Sequence, residues 1–242
     1  DGEKIAFSSD RYGNFDIFTI PAKGGIPNRL TYYSLREIPT SFTPDGQHIL
    51  FSSSIQDLPE NVGFPRTYLG ELYSVPTKGG RIKQILSIPA EDARYSKDMS
   101  KIIYHDCKGP EDYWRKHHTS SIARDLRLYD VNTGKHTKLT SFMGEDRSPV
   151  FSSDEKEIYF LSEQFGNNFN ICKFNINNPE NITQVTDFKT HPVRFLSLSG
   201  EGTLCFAYDG EIWTKKGEDK ASKIKISIFS DNKQNPREYI SK

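Results

Sequence analysis

Apolar residues in this chain come in short β-type runs broken by Gly, Pro, Asp and Ser, and helical periodicity is nowhere sustained. Five such runs open repeating units: KIAFSS (4–9), HILFSS (48–53), KIIYHD (101–106), EIYFLS (157–162) and TLCFAY (203–208). Their leading apolar residues, Ile5, Ile49, Ile102, Ile158 and Leu204, are spaced 44, 53, 56 and 46 residues apart. A second run follows each: DIFTIP (16–21), ELYSVP (71–76), DLRLYD (125–130), NICKFN (170–175) and EIWTKK (211–216). The step from first to second anchor is 12, 23, 24, 13 and 8 residues, so the two long repeats carry insertions of about 11 residues in that one connection. Without the insertions the period is about 43 residues.

Each unit continues with a third run: PNRLTYY (27–33), RIKQILS (81–87), KHTKLTS (135–141), ITQVTDF (182–188) and SKIKISI (222–228). A fourth, shorter run precedes each of the last four units: IPTSFTP (38–44), EDARYSK (91–97), RSPVFSS (147–153) and HPVRFLS (191–197). Asp45-Gly46 suits a tight hairpin, and Gly24-Gly25, Gly79-Gly80 and Thr133-Gly134 mark the turn after the second run. Four strands per unit at a period in the forties predicts an all-β chain, a β-propeller of four-stranded antiparallel blades with five repeat units. A β-sandwich also offers short strands at regular spacing, but nothing in a sandwich requires the same turn and strand motifs to recur. The first unit lacks its innermost strand, because Asp1-Gly2 already falls in the hairpin after it. Either sequence upstream supplies that strand, or the terminal PREYISK (236–242) closes the ring.

Charge narrows the possible partners. The 242 residues hold 32 Lys+Arg against 32 Asp+Glu, which gives no basic excess for gripping nucleic acid or an acidic membrane. No apolar stretch reaches membrane-spanning length. Cys107, Cys172 and Cys205 match no zinc or redox spacing and read as buried or half-buried free thiols. The six histidines form no metal-ligand pattern, so no metal or cofactor is expected; His105 and His191 read as ordinary, satisfied histidines. No GxSxG elbow, P-loop or GxGxxG is present, and no catalytic residue is assigned.

In a propeller the long connections at 54–70 and 107–124, with shorter ones at 10–15 and 163–169, share one face, where loops on a rigid scaffold commonly bind. The segment 107–125 is densest in reactive side chains: Trp114, Arg115, His117 and His118 could stack on and charge-pair with a ligand such as a peptide terminus. Arg124 and Arg147 complete the candidate peptide- or partner-binding set. A plain surface loop, or a contact with a neighbouring domain, would also account for this segment. Adjacent histidines on an extended chain point to opposite sides, which makes His117 and His118 poor joint metal ligands.

The pattern SFTPDGQHILFSS with ELYSVPTKGG resembles the propeller repeat of TolB and the tricorn proteases. More specifically, 108–163, DRYGNFDIFTIPAKGG (10–25) and FKTHPVRFLSLSGEGTLCFAYDGEIW (188–213) resemble the N-terminal propeller of bacterial tricorn-like serine peptidases. The resemblance runs to about Phe229 and implies a propeller over 1–229, with 230–242 as a linker toward a following domain or a ring-closing strand. It also implies a six-bladed parent propeller, followed by a second propeller, a PDZ-like domain and a peptidase domain that holds the catalytic residues. The implied role is non-catalytic: gating or channelling oligopeptides to or from the active site, in a protein that could form homo-oligomers. The same repeat would fit a TolB-like protein–protein interaction module of the cell envelope, or a gating propeller on a prolyl-oligopeptidase-like hydrolase. The resemblance favours a periplasmic location, with the cytoplasm as the alternative.

Overall fold

The repeat units fold as antiparallel sheets in the computed structural model, which describes residues 2–55, 69–109, 112, 114, 115, 117, 119–166 and 168–227. Blade 1 contains β1 (Lys4–Ser9), β2 (Asp16–Pro21) and β3 (Asn28–Arg29), in that order. Blade 2 contains β4 (Ile38–Phe42), β5 (His48–Ser53), β6 (Glu71–Pro76) and the start of β7 (Lys83–Tyr95). Blade 3 takes the rest of β7 as its inner strand, then β8 (Lys101–Asp106), β9 (Leu126–Asp130) and β10 (His136–Lys138). Blade 4 is β11 (Asp146–Phe151), β12 (Glu157–Ser162), β13 (Asn170–Asn175) and β14 (Asn178–Gln184). Blade 5 is β15 (Arg194–Leu198), β16 (Thr203–Tyr208), β17 (Glu211–Lys216) and β18 (Ser222–Lys223). Neighbouring inner strands lie side by side, β4 near β7, β7 near β11 and β11 near β15, which is the arrangement of a β-propeller.

Burial explains why these strands read as apolar runs rather than as an alternation. Blades 2, 3 and 4 are each packed between two others, so both of their faces are covered. From β5, Ile49 and Phe51 join the cluster with Ile17 and Leu30 of blade 1, while Leu50 joins the cluster with Ile102 and Tyr104 of blade 3. Ile103, on the other face of β8, packs with Ile158 and Phe160 of blade 4. Leu161, facing the other way, packs with Leu204 and Phe206 of blade 5. A propeller core is thus a series of inter-blade layers, which suits a chain rich in Phe and Tyr.

The third runs of units 1 and 3 both hold a Leu-Thr pair, Leu30-Thr31 and Leu139-Thr140, and it has a structural reason. Leu30 and Leu139 donate their amides to Ile17 and Leu126, closing the outer edge of the blade. The hydroxyls of the threonines that follow accept the Ile17 amide at 2.8 Å (Thr31) and the Leu126 amide at 3.1 Å (Thr140). Thr186, after Val185, accepts the Ile171 amide at 2.9 Å in blade 4. Thr31 also donates to the buried Glu37 carboxylate at 2.8 Å, at the entrance to the next inner strand. Asp146 takes the corresponding place at the start of β11 and is fully buried. Burial, opposed by the hydroxyl of Thr31, pushes Glu37 up to about 7; burial, opposed by those of Ser162 and Thr140, pushes Asp146 up to about 7.

The structure differs from the sequence reading at the outer strands. The runs 81–87 and 91–97 merge into the single strand β7, which continues through Ser87-Ile88-Pro89-Ala90 despite its Ser and Pro; Ala90 is fully buried and donates its amide to the Gly70 carbonyl at 3.1 Å. The outer strand of blade 4 begins earlier than expected, at Asn178, pairing Asn175 with Asn178 across a tight turn. The outermost strands of blades 1, 3 and 5 are only two or three residues long. Residues 228–242, including PREYISK and the expected linker, lie outside the described residues.

Candidate binding cavity at the inner strands

All four complete inner strands carry a β-bulge at the same register: between Pro39 and Ser41, Glu91 and Arg94, Arg147 and Val150, and Arg194 and Ser197. A bulge re-aims a side chain and bends the strand. In three of them the bulged residue is a non-glycine at positive φ: Asp92 at 48°, Ser148 at 54° and Phe195 at 56°. All three border one cavity of about 650 Å³, together with Thr40 from the fourth bulge. The strain is therefore repeated and concentrated where the chain lines an open space.

The cavity wall is a connected polar network. Ser148 donates its hydroxyl to Asp92 Oδ2 at 2.7 Å and its amide to His105 Nδ1 at 3.2 Å. With Nδ1 accepting, the imidazole proton sits on Nε2, which donates to Glu91 Oε2 at 3.1 Å. Arg124 Nε lies 3.5 Å from the same oxygen, and Arg124 Nη1 donates to Glu145 Oε2 at 3.2 Å. Burial works against ionisation of Glu91, but the hydrogen bond from His105 and the charge of Arg124 outweigh it and hold Glu91 at about 2. Burial likewise opposes the Arg124 charge, and Glu91 and Glu145 outweigh it. Arg147 Nη2 reaches Glu145 Oε2 at 3.3 Å, and its guanidinium lies 4.3 Å from the centre of the Phe169 ring. Ser148 gives its proton to Asp92 and not to His105, so these two residues form no nucleophile–base pair. The Cys107 thiol in the same wall is pushed up to about 11, by burial first and Glu91 second, and stays protonated at neutral pH.

An aromatic rim closes one side. Trp114, from the long connection of blade 3, meets Phe195 of blade 5 edge-on with ring centres 6.3 Å apart. The Arg194 guanidinium lies 4.8 Å from the Trp114 ring centre and donates to the Trp114 carbonyl at 3.2 Å. Trp114 and Phe195 are nonetheless 63% and 59% exposed. An aromatic pair with this much exposed surface suits contact with a planar or apolar ligand group.

Of the residues singled out from sequence, Trp114 and Arg124 border the cavity. Arg147 is 2% exposed and stands behind the wall on Glu145 and Phe169. Arg115 and His117 are exposed; His117 has φ 58° and donates its amide to Glu163 at 2.8 Å. His118 lies outside the described residues. His105 is satisfied, as expected, yet it is also a wall residue that orders Glu91 and Ser148. Sequence reasoning missed Glu91, Asp92, Ser148 and Phe195. The adjacent acids Glu91-Asp92 at the head of an inner strand were the one available signal, and the bulges that expose these positions leave none.

Comparison with known proteins fits this architecture. The sequence profile of the tricorn protease N-terminal β-propeller domain matches residues 1–221. The chain belongs to that family. The crystal structure of the tricorn protease superposes on this tricorn-type propeller with a TM-score of 0.78 at 21% identity, covering 96% of the chain. The chain spans 22% of the length of that protease. TolB from Agrobacterium tumefaciens superposes with a TM-score of 0.65 at 17% identity, over 86% of the chain and 73% of its own length. TolB from Acinetobacter baumannii gives 0.59 at 21% identity, over 86% of the chain and 49% of its own. A sequence search of curated proteins finds no significant match. Among the described residues of this tricorn-type propeller, no helix is long and apolar enough to cross a membrane.

Proposed function

We propose that this propeller is a non-catalytic domain of a tricorn-like peptidase, and that it gates or channels oligopeptides through the cavity at its inner strands. One observation carries the reading: four bulged inner strands converge on a space of about 650 Å³ with an exposed aromatic rim at Trp114 and Phe195. That volume is within the range of small-ligand sites. Its wall mixes short hydroxyls with charged groups already paired to one another, which suits passage or transient binding better than covalent chemistry. The catalytic residues belong, on this reading, to a peptidase domain elsewhere in the parent chain, with the exposed Trp114 and Arg115 facing peptide or a neighbouring domain.

Titration of short peptides against the protein tests the reading. Trp114→Ala should weaken binding by about 1–3 kcal/mol, the scale of an aromatic hot spot. Absence of peptide binding in the unmodified protein, with retention of a protein partner, would instead support a TolB-like interaction module.

A further inference from the structure

The cavity wall presents two carboxylate oxygens that accept no hydrogen bond from the described residues. Glu91 and Asp92 have side chains 31% and 40% exposed, and both border the cavity. Their hydrogen bonds from His105 and Ser148 go to Glu91 Oε2 and Asp92 Oδ2. Among the described residues Glu91 Oε1 and Asp92 Oδ1 accept nothing. A carboxylate oxygen can only accept, so the complement of this pair is a small group with several N–H donors.

A separate observation on the neighbouring blade also calls for a ligand. Ser53 is 4% exposed and forms part of the same wall, and its buried hydroxyl has no hydrogen-bond partner among the described residues. A buried hydroxyl left unpaired is costly, whereas one that donates to a ligand carbonyl is satisfied. Its neighbour Ser52 is already committed to the Ala90 carbonyl at 2.8 Å. The third feature is the partly exposed aromatic pair Trp114–Phe195.

We propose that the cavity binds the free amino terminus of an oligopeptide. The α-ammonium meets Glu91 Oε1 and Asp92 Oδ1, the first carbonyl accepts from Ser53, and the first side chain lies against Trp114 and Phe195. Within one residue an amino-terminal peptide unit presents all three complementary groups. A carboxyl terminus would place its charge against two acids. The inference rests on the oligopeptide reading above and adds an orientation: the peptide is held by its amino end.

The test is a calorimetric titration of the intact protein with a short neutral peptide bearing an apolar first residue, and with the same peptide N-acetylated. The free peptide should bind at least tenfold more tightly. Asp92→Asn should erase most of that difference; asparagine tolerates the positive φ at this position and its carbonyl can still accept from Ser148, so the fold is retained. Ser53→Ala should weaken both peptides together. Equal binding of free and acetylated peptide, or an unchanged difference in Asp92→Asn, overturns the amino-terminal assignment while leaving oligopeptide binding intact. Failure of both peptides to bind overturns the oligopeptide reading as well.

Discussion

Phe195 is the residue where local preference and placement conflict most. A bulky side chain at φ 56° is disfavoured by about 1–2 kcal/mol, because its Cβ crowds the neighbouring carbonyl. Phe195 is also 59% exposed, so burial offsets little of that cost. Strain of this kind in a cavity wall points to a requirement for the side chain itself. Phe195→Gly is therefore expected to raise stability in chemical denaturation, by up to about 1 kcal/mol, while weakening peptide binding. A variant that loses stability would mean that the ring contributes more to packing than its exposure suggests. Asp92 and Ser148 are held in the same backbone conformation by their mutual hydrogen bond, so their strain is shared across two blades.

At the scale of the element, the threonines that follow Leu30 and Leu139 anchor blades 1 and 3. Thr140→Val removes the acceptor for the buried Leu126 amide and should cost about 1–3 kcal/mol in denaturant unfolding. Thr31→Val should cost at least as much, since Glu37 loses its donor too. The buried acids add a pH dependence of definite sign. Asp146 is held at about 7 in the fold, above its ordinary value, so the fold favours its protonated form. Its stabilising contribution is complete below about pH 4, is lost as pH rises from there to about 7, and levels off above. Asp146→Asn, which cannot ionise, should be less sensitive over that window, so the stability of the wild type relative to the variant should fall between pH 4 and 7. Parallel pH profiles would contradict a buried, proton-bearing Asp146.

These elements mark what the sequence makes legible. The first and second strands of each unit read clearly, because packing between two blades demands continuous apolar runs such as HILFSS and KIIYHD. The outer strands were not legible to the residue, since two- or three-residue strands with exposed side chains carry little pattern. Trp114 and Arg124 stood out by side-chain type. Glu91, Asp92 and Phe195 did not, because their exposure depends on bulges that interrupt strand register without changing composition.

For the whole molecule, stacking blades as flat layers leaves a space where the inner strands converge, and the bulges decide what faces it. A chain built this way can select by cross-section without reactive chemistry, which accords with a wall of paired charges and hydroxyls. The most direct test narrows that space. Ser197 borders the cavity and is half-buried, and Ser197→Trp would fill part of it. For a parent chain that hydrolyses peptides as proposed above, substrates with side chains of graded bulk should be cleaved progressively more slowly by the variant, while a small two-residue reporter is cleaved at the normal rate. Equal rates at every bulk in a folded Ser197→Trp protein would contradict passage through this cavity.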